Sequence, residues 1–305
     1  MSEAAGDKPL ARGVLAQAAE AGGWMVLAIA SFSAMAVAGR ELGAELATHE
    51  IMVYRSAFGL AVIAALIWHA HGRLAVATGL WREHTVRNIV HFAAQNAWFG
   101  AVMLIPLAQM VALEFTSPVW LTLLAPLMLG ERITRAGVIA VALGFGGILL
   151  VTQPWQGAVT LGWGHLMALG AAVGFALTNI FTKRLSRADG ALTILFWMTG
   201  SQMVMGLALT VPAGGPTLFS WALAPWVLAI GVVGLTAHFG LTRALMAAPA
   251  TVVAPLEFFR LPVLAIAGML LYGEALEVAV FAGAALILAG NLYNLTDRQR
   301  AEARR

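Results

Sequence analysis

Four ionisable side chains fall inside long apolar stretches of this 305-residue chain: Arg55, Glu114, Glu257 and Arg260. A charge at membrane depth costs about 2.5 to 3.5 kcal/mol on insertion scales unless it is paired or hydrated. Each therefore marks an ion pair or a hydrated path. Glu257 and Arg260 stand three residues apart, a spacing that lets two side chains share one helical face and pair; a pathway or gating role is the other reading. Pro255 and Pro262 lie beside them, and proline removes backbone hydrogen bonds and tends to kink a helix. Irregular backbone at such depth usually borders a cavity. Glu114 has no partner in its own stretch, although Arg55 lies at a depth from which it could reach it. Proton exchange by Glu114 or Glu257 stands beside a purely structural, hydrogen-bonded role for either.

A second group is polar without charge. His91, Gln95 and Trp98 recur at i, i+4 and i+7, with Asn96 and Phe99 beside them, the spacing of one helical face. Thr178, Asn179, Ser31 and Ser33 can line a path or simply bridge helices. Trp98, Phe99, Phe115, Trp197, Phe239 and Phe258 offer aromatic surface with few fixed charges to demand a charged ligand. Trp24, Trp68, Trp81, Trp155, Trp163, Trp221 and Trp226 sit near the ends of apolar stretches, as interfacial anchors do.

The elements that must hold these groups follow from composition. The chain is 60% apolar and 11% charged, with mean hydropathy +0.83, whereas a soluble domain is roughly a quarter charged. A spanning helix needs about 20 apolar residues. Ten such segments lie near 23 to 40, 50 to 70, 86 to 105, 107 to 129, 134 to 152, 162 to 182, 191 to 211, 222 to 245, 249 to 272 and 276 to 295. The basic residues are scattered among loops rather than clustered, which argues against nucleic acid. With both termini in the cytoplasm, nearly every loop Lys and Arg falls inside and only Arg40 outside, so the positive-inside rule favours that orientation. The expectation is a multi-pass protein of a bacterial-type inner membrane.

Shifting the chain by 143 residues lays 101 to 131 over 244 to 274 without a gap, and ten of 31 positions agree, among them Pro106/Pro249, Glu114/Glu257, Phe115/Phe258, Gly130/Gly273 and Glu131/Glu274. Gln95 overlays His238, Phe99 overlays Thr242 and Arg40 overlays Lys183. Arg55 and Arg260 have no counterpart. Five spans per copy is an odd number, so the second copy enters the bilayer from the opposite face, and a site between such halves is how many carriers are built. The organisation expected is a tail at 1–22, repeats at 23–152 and 162–295 joined by QPWQGAVTLG, and a basic tail at 296–305. Small residues in AGVIAVALGFGG and AGAALILAG allow close helix contact, within the chain or in a homodimer.

Several chemistries have no residues to carry them. There is no cysteine, no GxxxxGK[ST] loop, no HExxH, and no pair of aspartates for magnesium-diphosphate work. No cofactor or metal is expected. An integral-membrane enzyme acting on lipid-linked substrates would want catalytic groups clustered at one face, whereas these are spread over both halves. A membrane scaffold would leave the buried charges unexplained.

YRSAFGL at 54 to 60, IPLAQMVALEFTSPVWLTLLAPLMLGERIT at 105 to 134, ALGFGGILLV at 142 to 151 and PLEFFRLPVLAIAGMLLYGE at 255 to 274 together resemble the drug/metabolite transporter superfamily, EamA type, along nearly the whole chain. The resemblance implies an all-α membrane protein with ten transmembrane helices, as two inverted five-helix repeats around a central cavity. It also implies a secondary carrier of a small-molecule substrate. Among its substrate classes, which include vitamins, nucleosides, polyamines and drugs, amino acids are the first expectation, by similarity to aromatic amino-acid exporters. Arg260 departs from the apolar character of span nine in that group.

Overall fold

A computed structural model describes residues 8–129, 134–156, 162–185, 187–247, 253 and 256–303. The regular elements among the described residues are helices, joined by short loops, with no strand. Their helices are α1 (Lys8–Leu42), α2 (Thr48–His71), α3 (Trp81–Leu104), α4 (Leu107–Glu114), α5 (Ser117–Leu129), α6 (Arg135–Thr152), α7 (Trp163–Leu185), α8 (Ala191–Thr210), α9 (Ala224–Ala247), α10 (Arg260–Tyr272) and α11 (Val278–Ala303). Gly130, Glu131, Pro249, Pro255 and linker residues 157–161 lie outside the described residues.

Among the described residues, eight helical stretches are long and apolar enough to cross a membrane, with α4 and α5 forming one of them. Two more elements complete the ten. α3 spans 24 residues but is interrupted by His84, Arg87, Asn88, His91 and Gln95. All five are buried, so its polar face is turned into the protein. α10 has 13 residues, about 20 Å of helix, and forms the second part of span nine.

The packing has the symmetry that the duplication demands. Counting α4 with α5 as span four and α10 within span nine, the most extensive contacts between the halves pair spans one with eight, three with six, two with seven and five with ten, and span four also meets span nine. Exchanging the halves turns the first pair into the second and maps each of the others onto itself. The pseudo-two-fold axis thus runs through spans two, four and five and their mates.

Small residues set the closest of these contacts. A Cβ on Gly147 of α6 would meet the carbonyl oxygen of Gly283 on α11 at 2.6 Å, and one on Gly283 would meet that of Gly147 at 2.6 Å, so only glycine lets these backbones touch. Gly144 is likewise covered by Val119 and Gly290 by Ala140. These faces are used within the chain, the first of the two readings of the small residues, which leaves the homodimer alternative without support from them.

Spans four and nine are broken at repeat-related points. α4 ends at Glu114 and α5 starts at Ser117, while α10 starts at Arg260 after a turn at Phe258 and Phe259. Pro118 and Pro262 sit in the first turns of α5 and α10, where a missing N–H costs little, and neither can continue the preceding ladder. The freed groups find other partners: Asn291 of α11 donates to the Phe115 carbonyl at 3.1 Å, and the Thr116 hydroxyl donates to the Leu113 carbonyl at 2.6 Å. Such repair is what makes a broken helix tolerable at membrane depth.

Candidate functional site

The two breaks meet. Phe115 and Phe258 stack with ring centroids 4.2 Å apart and planes at 32°, placing repeat-related rings at the pseudo-two-fold axis. Beside them Arg260 Nη2 lies 2.5 Å from Glu114 Oε2, and Trp98 Nε1 donates to that same oxygen at 2.9 Å. The guanidinium sits 5.2 Å from the centroids of both Phe32 and Phe115, an arrangement that favours a cation over an aromatic face. Each charge occupies the helix end whose dipole disfavours it, Glu114 at the C-terminus of α4 and Arg260 at the N-terminus of α10. The pair is therefore held by its own attraction and by Trp98.

This geometry corrects two sequence expectations. Arg260 pairs with Glu114 across the bundle rather than with Glu257, because the turn at Phe258 and Phe259 destroys the i, i+3 helical register between them. Arg55 does not reach Glu114; its Nη1 donates to Gln95 Oε1 at 2.9 Å. Glu257 keeps an electrostatic neighbour in Arg260 but has no hydrogen bond or ion pair among the described residues.

Arg55 continues the site along α3. It is buried on α2, and a Cβ on Gly234 of α9 would come within 2.7 Å of its Nε, so glycine makes room for the guanidinium. One turn further along α9, His238 stands edge-on to Phe32 at 5.3 Å, and on α3 His91 lies one turn from Gln95 and packs on Phe175 at 5.9 Å. Arg87, which the basic-residue tally counts toward the cytoplasmic side, is buried near the start of span three and donates to Thr182 at 3.2 Å and to Asn88 at 3.0 Å. Its recurrence at i−4 from His91 was the available signal.

Other expected lining residues stand elsewhere. Phe99 is fully buried and packs edge-on to Trp98 at 5.1 Å, filling core against Gly39. Phe239 is 56% exposed and shares one face of α9 with exposed Leu228 and Val232, the face a bundle turns to lipid. Trp197 stacks on His84 at 5.6 Å and donates to the Val76 carbonyl at 3.0 Å, away from the central cluster. Thr178 and Asn96 bond carbonyls of their own helices, Gly174 and Phe92, at 2.8 Å each. Asn179 is exposed one turn before Thr182, the partner of Arg87.

Each end of the bundle carries a polar cluster that the sequence reading missed. At the end formed by the 105–106 and 273–277 connections, Arg40 donates to the carbonyls of Val102 and Ile105 and pairs with Glu274, which also accepts from the Leu107 N–H at 2.9 Å. Tyr272 lies under the guanidinium, 4.8 Å to the centroid, and donates to Glu41 at 2.8 Å. The repeat mate of Glu274, Glu131, lies outside the described residues. At the other end Asp189 accepts from Thr78 at 2.6 Å and lies 2.8 Å from His84 Nε2. Partial burial opposes ionisation of Asp189, but these contacts with Thr78 and His84 hold its carboxyl below the usual range. The hydroxyl and N–H of Ser220 likewise hold Glu45 low.

The EamA-like transporter family matches residues 21–153 and 162–296. The chain belongs to this family. Among its relatives, a riboflavin transporter of Rhizobium johnstonii is 31% identical over 92% of this chain and 92% of its own length. An S-adenosylmethionine uptake transporter of Rickettsia bellii is 24% identical over 93% of this chain and 96% of its own length. A pseudopaline exporter of Pseudomonas aeruginosa is 30% identical over 86% and 91%. This EamA-type chain is thus a multi-pass membrane protein of a transporter family, and none of these three relatives is named for an amino acid.

Proposed function

We propose that this protein is a secondary carrier that passes a small metabolite with a flat aromatic or heteroaromatic body through the bundle centre by alternating access, without ATP. The observation that carries the reading is the Phe115–Phe258 stack where the two broken spans meet, bordered by Arg260, Glu114 and Trp98. A ring inserted there would replace one aromatic contact by two, and the half-helix ends around it supply directed polar groups. The relatives' names support riboflavin as the first substrate to test. Both termini lie in the cytoplasm of a bacterial-type inner membrane in this reading, on the basic-residue tally.

Export of amino acids, including aromatic ones, is the second reading, and Trp98 with the paired phenylalanines favours it. It loses the surface that Phe99, Phe239 and Trp197 were expected to add. The test is uptake of labelled riboflavin, S-adenosylmethionine and tryptophan into liposomes holding the purified protein. Saturable riboflavin flux above empty liposomes is expected; tryptophan flux alone would favour the second reading, and no flux of any of them would overturn the first.

A further inference from the structure

Two buried arginines, Arg55 and Arg87, have no ion-pair partner among the described residues. Arg55 and Arg87 are each 6% exposed, and among the described residues neither has an acidic group within 4.0 Å, the four ion pairs there belonging to other residues. Their hydrogen-bond partners are neutral: Gln95 for Arg55, Asn88 and Thr182 for Arg87. The titratable groups that sense them are two histidines. His91 is an electrostatic neighbour of Arg55, Arg87 and His238, and His238 of both arginines. His91 is 4% exposed, and neither of its ring nitrogens has a hydrogen-bond partner; nor has His238 Nε2.

Buried charge without a counter-charge is expensive, and buried polar groups are ordinarily hydrogen-bonded. Two guanidinium groups with neutral partners, and two imidazoles each able to turn an N–H inward in the fitting tautomer, surround one stretch of α3 with donors suited to negative charge. Arginine is suited to it, since its planar fork matches carboxylate and phosphate oxygens. The arrangement continues from the aromatic cluster, because His238 touches Phe32 and Phe32 touches Arg260.

We infer that Arg55, with His91 and His238, binds an oxyanion, the carboxylate or phosphate of the transported molecule, while its aromatic body lies against Phe115 and Phe258. This rests on the carrier reading above and deepens its substrate class: a ring compound that carries an acid group is preferred over the neutral ring compound of the same kind. Gln95 holds Arg55 in place when the site is empty, and Arg87 offers the next charge along the path.

The test compares two probes with one ring system, riboflavin and flavin mononucleotide, which differ by a phosphate. Binding is read by flavin fluorescence on the purified full-length protein. The phosphate-bearing probe is expected to bind roughly ten-fold or more tightly, the order of a hydrogen bond to a buried charge. Arg55→Gln should reduce that advantage to none. Gln95→Glu places a carboxylate against Arg55 and should also abolish the advantage, with no loss of thermal stability, which guards against a misfolded Arg55 variant. Equal binding of the two probes, without Arg55-dependent protection by inorganic phosphate, would overturn the site; so would an advantage that survives in both variants. Protection by phosphate without a flavin difference would support oxyanion binding but make the ion a free one. Riboflavin flux with no oxyanion effect sinks this site alone, whereas the oxyanion effect without flux of any ring compound sinks the carrier reading and leaves the site.

Discussion

Phe115 and Phe258 stand 143 residues apart in sequence and stack at 4.2 Å in space. Each follows the glutamate that precedes its span's break, so the contact joins two copies of one sequence feature across the pseudo-two-fold axis. An aromatic pair contributes about 0.5 to 1.5 kcal/mol beyond the area it buries. Phe115→Leu is expected to lower thermal stability by about 1 kcal/mol and to raise the KM for riboflavin uptake several-fold. Phe258→Leu should do the same, and their double variant should fall short of the sum because the pair is shared.

Glu114 and Arg260 should be strongly coupled. Glu114→Gln leaves a buried guanidinium without its counter-charge and is expected to destabilise the fold by about 3 kcal/mol. Glu114→Gln with Arg260→Gln should regain most of that loss. A thermal-unfolding double-mutant cycle measures it, and additive losses would contradict the pairing.

Asp189 predicts the acid response of its polar cluster. Its folded-state carboxyl lies below the unfolded value of about 3.9, so its stabilisation is present above that value and is lost as pH falls through the lower, folded one. Solvent screening at this loop position near the bundle surface keeps the effect below about 1 kcal/mol. Asp189→Asn should therefore unfold slightly earlier than the parent at pH 7, and the difference should shrink as pH falls below the unfolded value of about 3.9.

Arg40 and Glu274 predict access from the opposite end. Leu107 is fully buried behind this pair, and the chain has no cysteine of its own. In a Leu107→Cys background, Arg40→Gln is expected to speed labelling by a membrane-impermeant maleimide several-fold from one face only. Unchanged labelling from both faces would show that the pair closes nothing.

Much of the architecture is legible in the residues themselves. The repeat, the all-helical class and the deep charges follow from hydropathy and a constant offset. The charge pairing does not, because a helical register predicts Glu257 with Arg260 only if the helix is continuous, and span nine turns at Phe258. The aromatic lining is half legible for a related reason: composition marks Phe99 and Phe239 as rings in spans, but only helix packing turns one into core and the other outward. Arg87 was concealed by position, since a basic residue near a span end reads as a topology signal until its burial is known.

Counterflow of labelled riboflavin in proteoliposomes, run on the parent and on Phe115→Ala, tests most directly the claim that substrate passes between the two broken spans. The account predicts saturable counterflow in the parent and at least a several-fold loss in an otherwise folded Phe115→Ala protein. Robust counterflow that is identical in both would contradict it.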